Sequence, residues 1–122
     1  MSAFPSSKDV LPDTETVISL PEAADLLGVP VTSVHQLLRD HQILAVRRGG
    51  VVSIPSRFFD AEDAIVRMLP GVITVMRDAK YTDEDILTWL FTDDSTLPGR
   101  PVDALHGQLA REVVRRAHAE PF

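Results

Sequence analysis

Cysteine is absent from the 122-residue chain, which excludes disulfides, thiol nucleophiles and cysteine-ligated zinc. Histidine is scarce: His35, His41, His106 and His118 are the only four, and none falls at the H-E-x-x-H spacing or any other ligand spacing. No metal and no other cofactor is therefore expected. No apolar run approaches the roughly 18 to 20 residues that cross a bilayer, and the opening MSAFPSSKDV lacks the charged-then-apolar profile of a secretion signal. A phosphate-cradling glycine loop, a nucleophile elbow and a paired acid/base motif are also missing. The expectation is a cytoplasmic protein that does not meet a membrane and is not an enzyme.

What is present is ordinary globular composition, 44% hydrophobic and 25% charged, at a length that suits one compact unit. The net charge of −6 at first argues against a nucleic-acid partner, since DNA affinity comes largely from cations that neutralise phosphates. Its distribution reverses that reading. Residues 1–30 carry −4, residues 31–57 carry +3 and residues 58–122 carry −5, so the middle stretch alone is basic.

Residues 1–17, rich in proline, serine, threonine and acid with no sustained periodicity, read as a mobile tail. Ser19 and Glu22 have capping-box spacing, Pro21 suits a first helical turn and Gly28 a stop, so a two-turn helix is predicted between them. Thr32 or Ser33 can cap a second helix with a buried stripe of Val34, Leu37 and Leu38 and with Ser33, His35, Gln36, Arg39 and Asp40 on its other faces. Ile43 to Arg48 and Val51 to Ile54 read as strands around a Gly49-Gly50 hairpin loop. Phe58 to Leu69 fits a helix broken by Pro70-Gly71, and further helices follow around Val72–Ala79, after Thr82, from Pro101, and over Leu109–Ala117. The fold class is mainly α: a winged helix-turn-helix over residues 18–60, followed by a C-terminal helical part, 61–122, packed on it.

Two short helices joined by a tight turn, then a two-stranded wing, form a geometry that places the second helix in the major groove and the hairpin tip along the phosphate backbone. Thr32, Ser33, His35, Gln36 and Arg39 on that helix, Arg47 and Arg48 beside the wing tip, and Arg57 beyond it are the candidate DNA-binding residues. The other charged and aromatic groups have simpler readings. Asp83, Glu84 and Asp85 suit a helix N-terminus, Trp89 and Phe91 suit a core, Arg111, Arg115 and Arg116 suit a solvated helix face, and His41 suits a capping or packing role.

The stretch LPEAADLLGVPVTSVHQLLRDHQILAVRRGGVVSIP resembles the excisionase and MerR-type helix-turn-helix, with its EAA-x-LLGV helix, turn, second helix, wing and I-P ending. With WLF, RPVDALH and AREVVRRA, the chain from about Val17 to Ala119 is similar to a family of small winged-helix DNA-binding proteins of actinobacteria. The resemblance implies duplex DNA as partner, transcription regulation and a nucleoid location. Because that family includes a Ser/Thr-kinase substrate, it also implies a kinase partner; Ser6, Ser7, Thr14 and Thr16, in the tail beside the DNA-binding unit, are the candidate phosphoacceptors, where added negative charge would repel DNA. The stretch from Tyr81 to Ala117 is similar to the toxin-binding domain of Xre/MbcA/ParS-type antitoxins, which implies instead a protein partner, or a second copy, on the C-terminal helices. The chain departs from the excisionase pattern at Val31, Val51, Val52 and Ser53, where relatives often carry basic residues. A weaker phosphate grip is therefore expected, and a dimer for specific binding.

Overall fold

The computed structural model describes residues 6–120. Helix α1 (Leu20–Leu27) begins at the expected cap: Ser19 Oγ accepts from the Glu22 N–H at 3.3 Å, and the Glu22 carboxylate accepts from the Ser19 N–H at 2.8 Å. Gly28, with φ 68°, ends it in the left-handed conformation, and the Val29 N–H reaches back to the Ala24 carbonyl. Helix α2 (Val31–Arg39) starts earlier than a hydroxyl cap at Thr32 or Ser33 would allow. Pro30, extended at φ −62°, is the cap residue and its carbonyl takes the Ser33 N–H at 2.9 Å, which leaves Thr32 and Ser33 inside the first turn.

The wing belongs to a four-stranded sheet. Strands β1 (Ser7–Lys8), β2 (Val17–Ser19), β3 (Val46–Arg48) and β4 (Val51–Pro55) lie in the order β1-β3-β4-β2. Strands β3 and β4 form an antiparallel hairpin with Arg48 opposite Val51, and Gly49 and Gly50 (φ 57° and 79°) supply the two positive angles that a two-residue type I′ loop needs. Strand β2 pairs antiparallel with the far side of β4, and β1 runs parallel to β3 with Ser7 opposite Val46.

The mobile-tail expectation is overturned for residues 6–17. These residues supply β1 and the first residue of β2, Leu11 is only 7% exposed, and the Ser7 N–H donates to Ala45 at 2.8 Å. Strands of two and three residues carry no readable periodicity, so composition misread the segment. The part of that expectation covering residues 1–5 lies outside the described residues.

The C-terminal half departs from expectation at its start. No helix spans 58–69. A short 3₁₀ turn, Ser56–Phe58, leads into a loop clasped by a bridge between Phe59 and Ile65. The Asp60 carboxylate accepts from the Glu62 and Ala64 N–H groups, a local bonding that competes with helix. Pro70 then opens helix α3 (Leu69–Asp78) instead of ending one, because a first-turn proline loses no hydrogen bond. Helix α4 (Asp83–Leu90) carries the Thr82–Asp85 capping box, and α5 (Pro101–Ala104) and α6 (Ala110–Ala119) follow.

One continuous core joins the two halves. Val34, Leu38 and Ile54 from the first belong to the same buried cluster as Ile73, Met76, Leu87, Leu90 and Val113 from the second. Phe58, with no exposed surface, lies at the junction with its ring centroid 5.8 Å from that of Phe91. Trp89 is half-buried and donates to Glu120 at 3.0 Å. Residues 121 and 122, the end of the predicted C-terminal part, lie outside the described residues.

Helices α1, α2 and α3 all close through a left-handed residue, respectively Gly28, His41 (φ 55°) and Lys80 (φ 77°), with a backward bond from the next N–H in each case. His41 is thus the helix-closing residue. A side chain in this conformation costs about 1 kcal/mol that glycine avoids. Lys80→Gly is expected to raise stability by roughly 0.5–1 kcal/mol and Gly28→Ala to lower it by about 1 kcal/mol. Both should appear as shifts in urea midpoint at unchanged m-value.

Candidate nucleic-acid interface

The second helix buries Val34 and Leu38 and turns the opposite face outward. Thr32, Gln36 and Arg39, at i, i+4 and i+7, share that exposed face, while Ser33 and His35 flank it half-buried. Gln36 Nε2 donates to Asp40 at 3.0 Å in an exposed bond, which steadies the amide and which a stronger partner can replace at little cost.

In β3, strict alternation separates two arginines that are neighbours in sequence. Val46 is fully buried and Arg47 points to the opposite, exposed side, where its guanidinium rests on the Gly50 carbonyl at 3.2 Å. Arg48 returns to the side of Val46. Its Nε lies 2.7 Å from Asp9 Oδ2, and its two terminal nitrogens donate to the carbonyls of Glu15 (2.6 Å) and Pro12 (3.0 Å). The Arg48 hydrogen bond is the largest cause holding the Asp9 carboxyl below its ordinary range, and the Leu11 N–H adds to it. The expectation that Arg47 and Arg48 form one cationic pair at the tip is therefore corrected: Arg48 fastens the N-terminal segment to the wing.

Arg57 also stands apart. It sits on the 3₁₀ turn and donates to Asp103 at 2.9 Å, and Asp103 in turn receives Arg100. Arg100 reaches Glu15 on the N-terminal segment and lies over the Phe91 ring. The carbonyl of Arg57 meets His106 Nε2 at 2.6 Å, so Arg57 is bound into the contact between the halves. Of the candidate phosphoacceptors, Ser7 is buried with its hydroxyl toward the Ala45 carbonyl, Ser6 is half-buried, and Thr14 and Thr16 are exposed.

The structure also brings forward a residue that the sequence reading passed over. Lys8 lies in register with Arg47 across the parallel β1/β3 pair, so the two side chains leave the same face of the sheet, and both are exposed. A two-residue strand gives no pattern from which this could have been read. On the C-terminal half, the Asp83–Asp85 acids serve the first turn of α4. Arg115 and Arg116 both bind Glu112, holding its carboxyl down at about 2. Among the described residues, no group of three or more acids, histidines or cysteines is placed to hold a metal ion, and no helix is long and apolar enough to cross a membrane.

Two packed helices joined by a tight turn, the second with a polar outer face, and a glycine-tipped hairpin after them make this a winged helix-turn-helix protein with a helical C-terminal half. The chain belongs to the Rv2175c family. Residues 3–59 match the family described as "DNA-binding protein Rv2175c, wHTH domain", and residues 66–120 match "Rv2175c C-terminal domain of unknown function". The chain is 45% identical over 134 aligned positions to the protein named DNA-binding protein Rv2175c from Mycobacterium tuberculosis (strain ATCC 25618 / H37Rv), covering 100% of this chain and 92% of that one. The solved NMR structure of Rv2175c superposes with a TM-score of 0.89 at 44% identity, covering 99% of this chain and 91% of the other.

Proposed function

We propose that this protein binds duplex DNA through α2 and the wing and acts as a transcription regulator at the nucleoid, not as a catalyst. The observation that carries the reading is the pairing of the exposed Thr32–Gln36–Arg39 face with an outward Arg47 beside a two-glycine tip. Membership in a family whose relative is named a DNA-binding protein supports it. In this reading Gln36 leaves Asp40 to engage a base edge, adenine being the usual match for a side-chain amide, with Thr32 beside it. Arg39 and Arg47 take phosphates. With so few cations the salt dependence is shallow, and sequence-specific affinity needs a second copy on a paired half-site.

Fluorescence anisotropy of a labelled duplex titrated at several salt concentrations tests this. The parent should show a negative log–log slope, and Arg47→Ala should reduce its magnitude by about 0.9. Gln36→Ala should keep the slope but lose roughly 1–3 kcal/mol of discrimination between preferred and random duplexes. Absence of binding at low salt would remove the reading.

Phosphorylation by a Ser/Thr kinase fits the same picture at Thr14 and Thr16, where added negative charge beside the wing would repel DNA. Thr14→Glu/Thr16→Glu should bind duplex more weakly than the parent; equal affinity would exclude this regulation.

A second reading, a protein partner on the C-terminal helices, is favoured by an open groove of about 580 Å³ lined by Tyr81, Trp89, Asp85 and Asp93. Aromatic faces beside carboxylates suit a basic peptide. An arginine-rich peptide added to the full chain should then change Trp89 fluorescence, and an unchanged spectrum at saturating peptide would set it aside.

A further inference from the structure

The N-terminal segment is held to the wing by more bonds than a two-residue strand requires. Arg48 grips it at three points, Asp9, Pro12 and Glu15. The Lys8 N–H donates to Glu84 of α4 at 3.2 Å, the Ser56 N–H donates to the Thr16 carbonyl at 3.0 Å, and the Glu15 carboxylate is bound by Arg100. Each fixes a different point between residues 8 and 16. What this fastening leaves exposed is a single cation, Lys8, in register with Arg47 on the same face of the sheet.

We infer that residues 7–16 are a working part of the DNA-binding surface: Lys8 is a second phosphate-contacting cation of the wing, and Arg48, through Asp9, is the positioning residue that holds it there. The inference rests on the DNA-binding reading above. Neighbouring strands lie about 4.8 Å apart, so Lys8 and Arg47, in register on one face, present two cations side by side to the same stretch of phosphate backbone. A basic residue on an edge strand also blunts that edge against pairing with another chain, but this needs only a charge, not the clamp behind it. The clamp makes geometric sense if the position of Lys8 matters. Arg48 then contributes to DNA binding without touching DNA, and Asp9, an acid close to a DNA-facing surface, promotes binding by its bond to Arg48.

That last consequence separates the inference from simple charge counting. Removing a negative charge near the wing strengthens DNA binding if only long-range electrostatics operates. If Asp9 fastens the strand that presents Lys8, removing it weakens binding. The test is duplex anisotropy across a salt series with the full-length protein and the variants Arg47→Ala, Lys8→Gln, Asp9→Asn and the Lys8→Gln/Asp9→Asn double. Urea unfolding of each variant verifies that it is folded at the assay temperature.

Lys8→Gln should bind several-fold more weakly with a salt slope smaller by about 0.9. Asp9→Asn should also bind more weakly, and the double variant should lose little beyond Lys8→Gln alone, because both changes remove the same contact. Unchanged affinity and slope in Lys8→Gln, with Arg47→Ala impaired, would overturn the inference and leave the DNA-binding reading intact. Tighter binding by Asp9→Asn would overturn the positioning role of Arg48. If Arg47→Ala and Lys8→Gln both bind as the parent does, the wing reading itself fails. Should Asp9→Asn prove unfolded, Arg48→Lys makes the same test, since it keeps the charge but loses the planar fork that spans three acceptors.

Discussion

Side-chain alternation along β3 is the constraint on which the functional surface depends. The two-glycine loop fixes Arg48 opposite Val51, the burial of Val46 fixes which side of the strand faces inward, and a period of two leaves no other place for the arginines. Arg47 must face solvent and Arg48 must face the N-terminal segment. A slip of one residue would exchange them, exposing Val46 and leaving Asp9 and the carbonyls of Pro12 and Glu15 without their donor. The core and the clamp therefore select the same register.

The same economy explains how a chain with net charge −6 keeps a cationic surface. Many of its acids are held in structural bonds. Glu22 and Asp85 close capping boxes, Asp60 organises the loop before α3, and Asp9, Glu15, Asp103 and Glu112 each bind arginine. Ion pairs that stay partly open to water, as these do, add modestly to stability individually. Their larger effect is positional: the sequence Glu15, Arg100, Asp103, Arg57 links the N-terminal segment to α5 and to the 3₁₀ turn, where Phe58 and Phe91 join the two halves of the core.

Features with a local cause were legible in the sequence. Both capping boxes, the left-handed Gly28, the Gly49-Gly50 tip and the buried stripe of α2 each follow from a few adjacent residues. Features made by distant pairing were not. Ser7 bonds across 38 residues to Ala45, and neither β1 nor β2 is long enough to show a period. Pro70 was ambiguous because proline both ends one helix and begins another, and only the Asp60-centred loop decides between them. The different fates of Arg47 and Arg48 could have been read from the sequence: a two-residue loop with Val46 buried already implies that Arg48 shares the inward side. What the sequence could not supply was the partner waiting there.

The most direct test of this arrangement is a ¹⁵N–¹H correlation spectrum that includes the arginine Nε–Hε signals, recorded before and after adding duplex DNA. The Arg48 signal, bonded to Asp9, is predicted to be sharp in the free protein and to stay in place on binding. The Arg47 signal should move together with the backbone amides of Lys8, Thr32, Gln36 and Arg39. Movement of Arg48 without Arg47, or changes confined to α4–α6, would contradict a DNA-facing wing held from behind by the N-terminal segment.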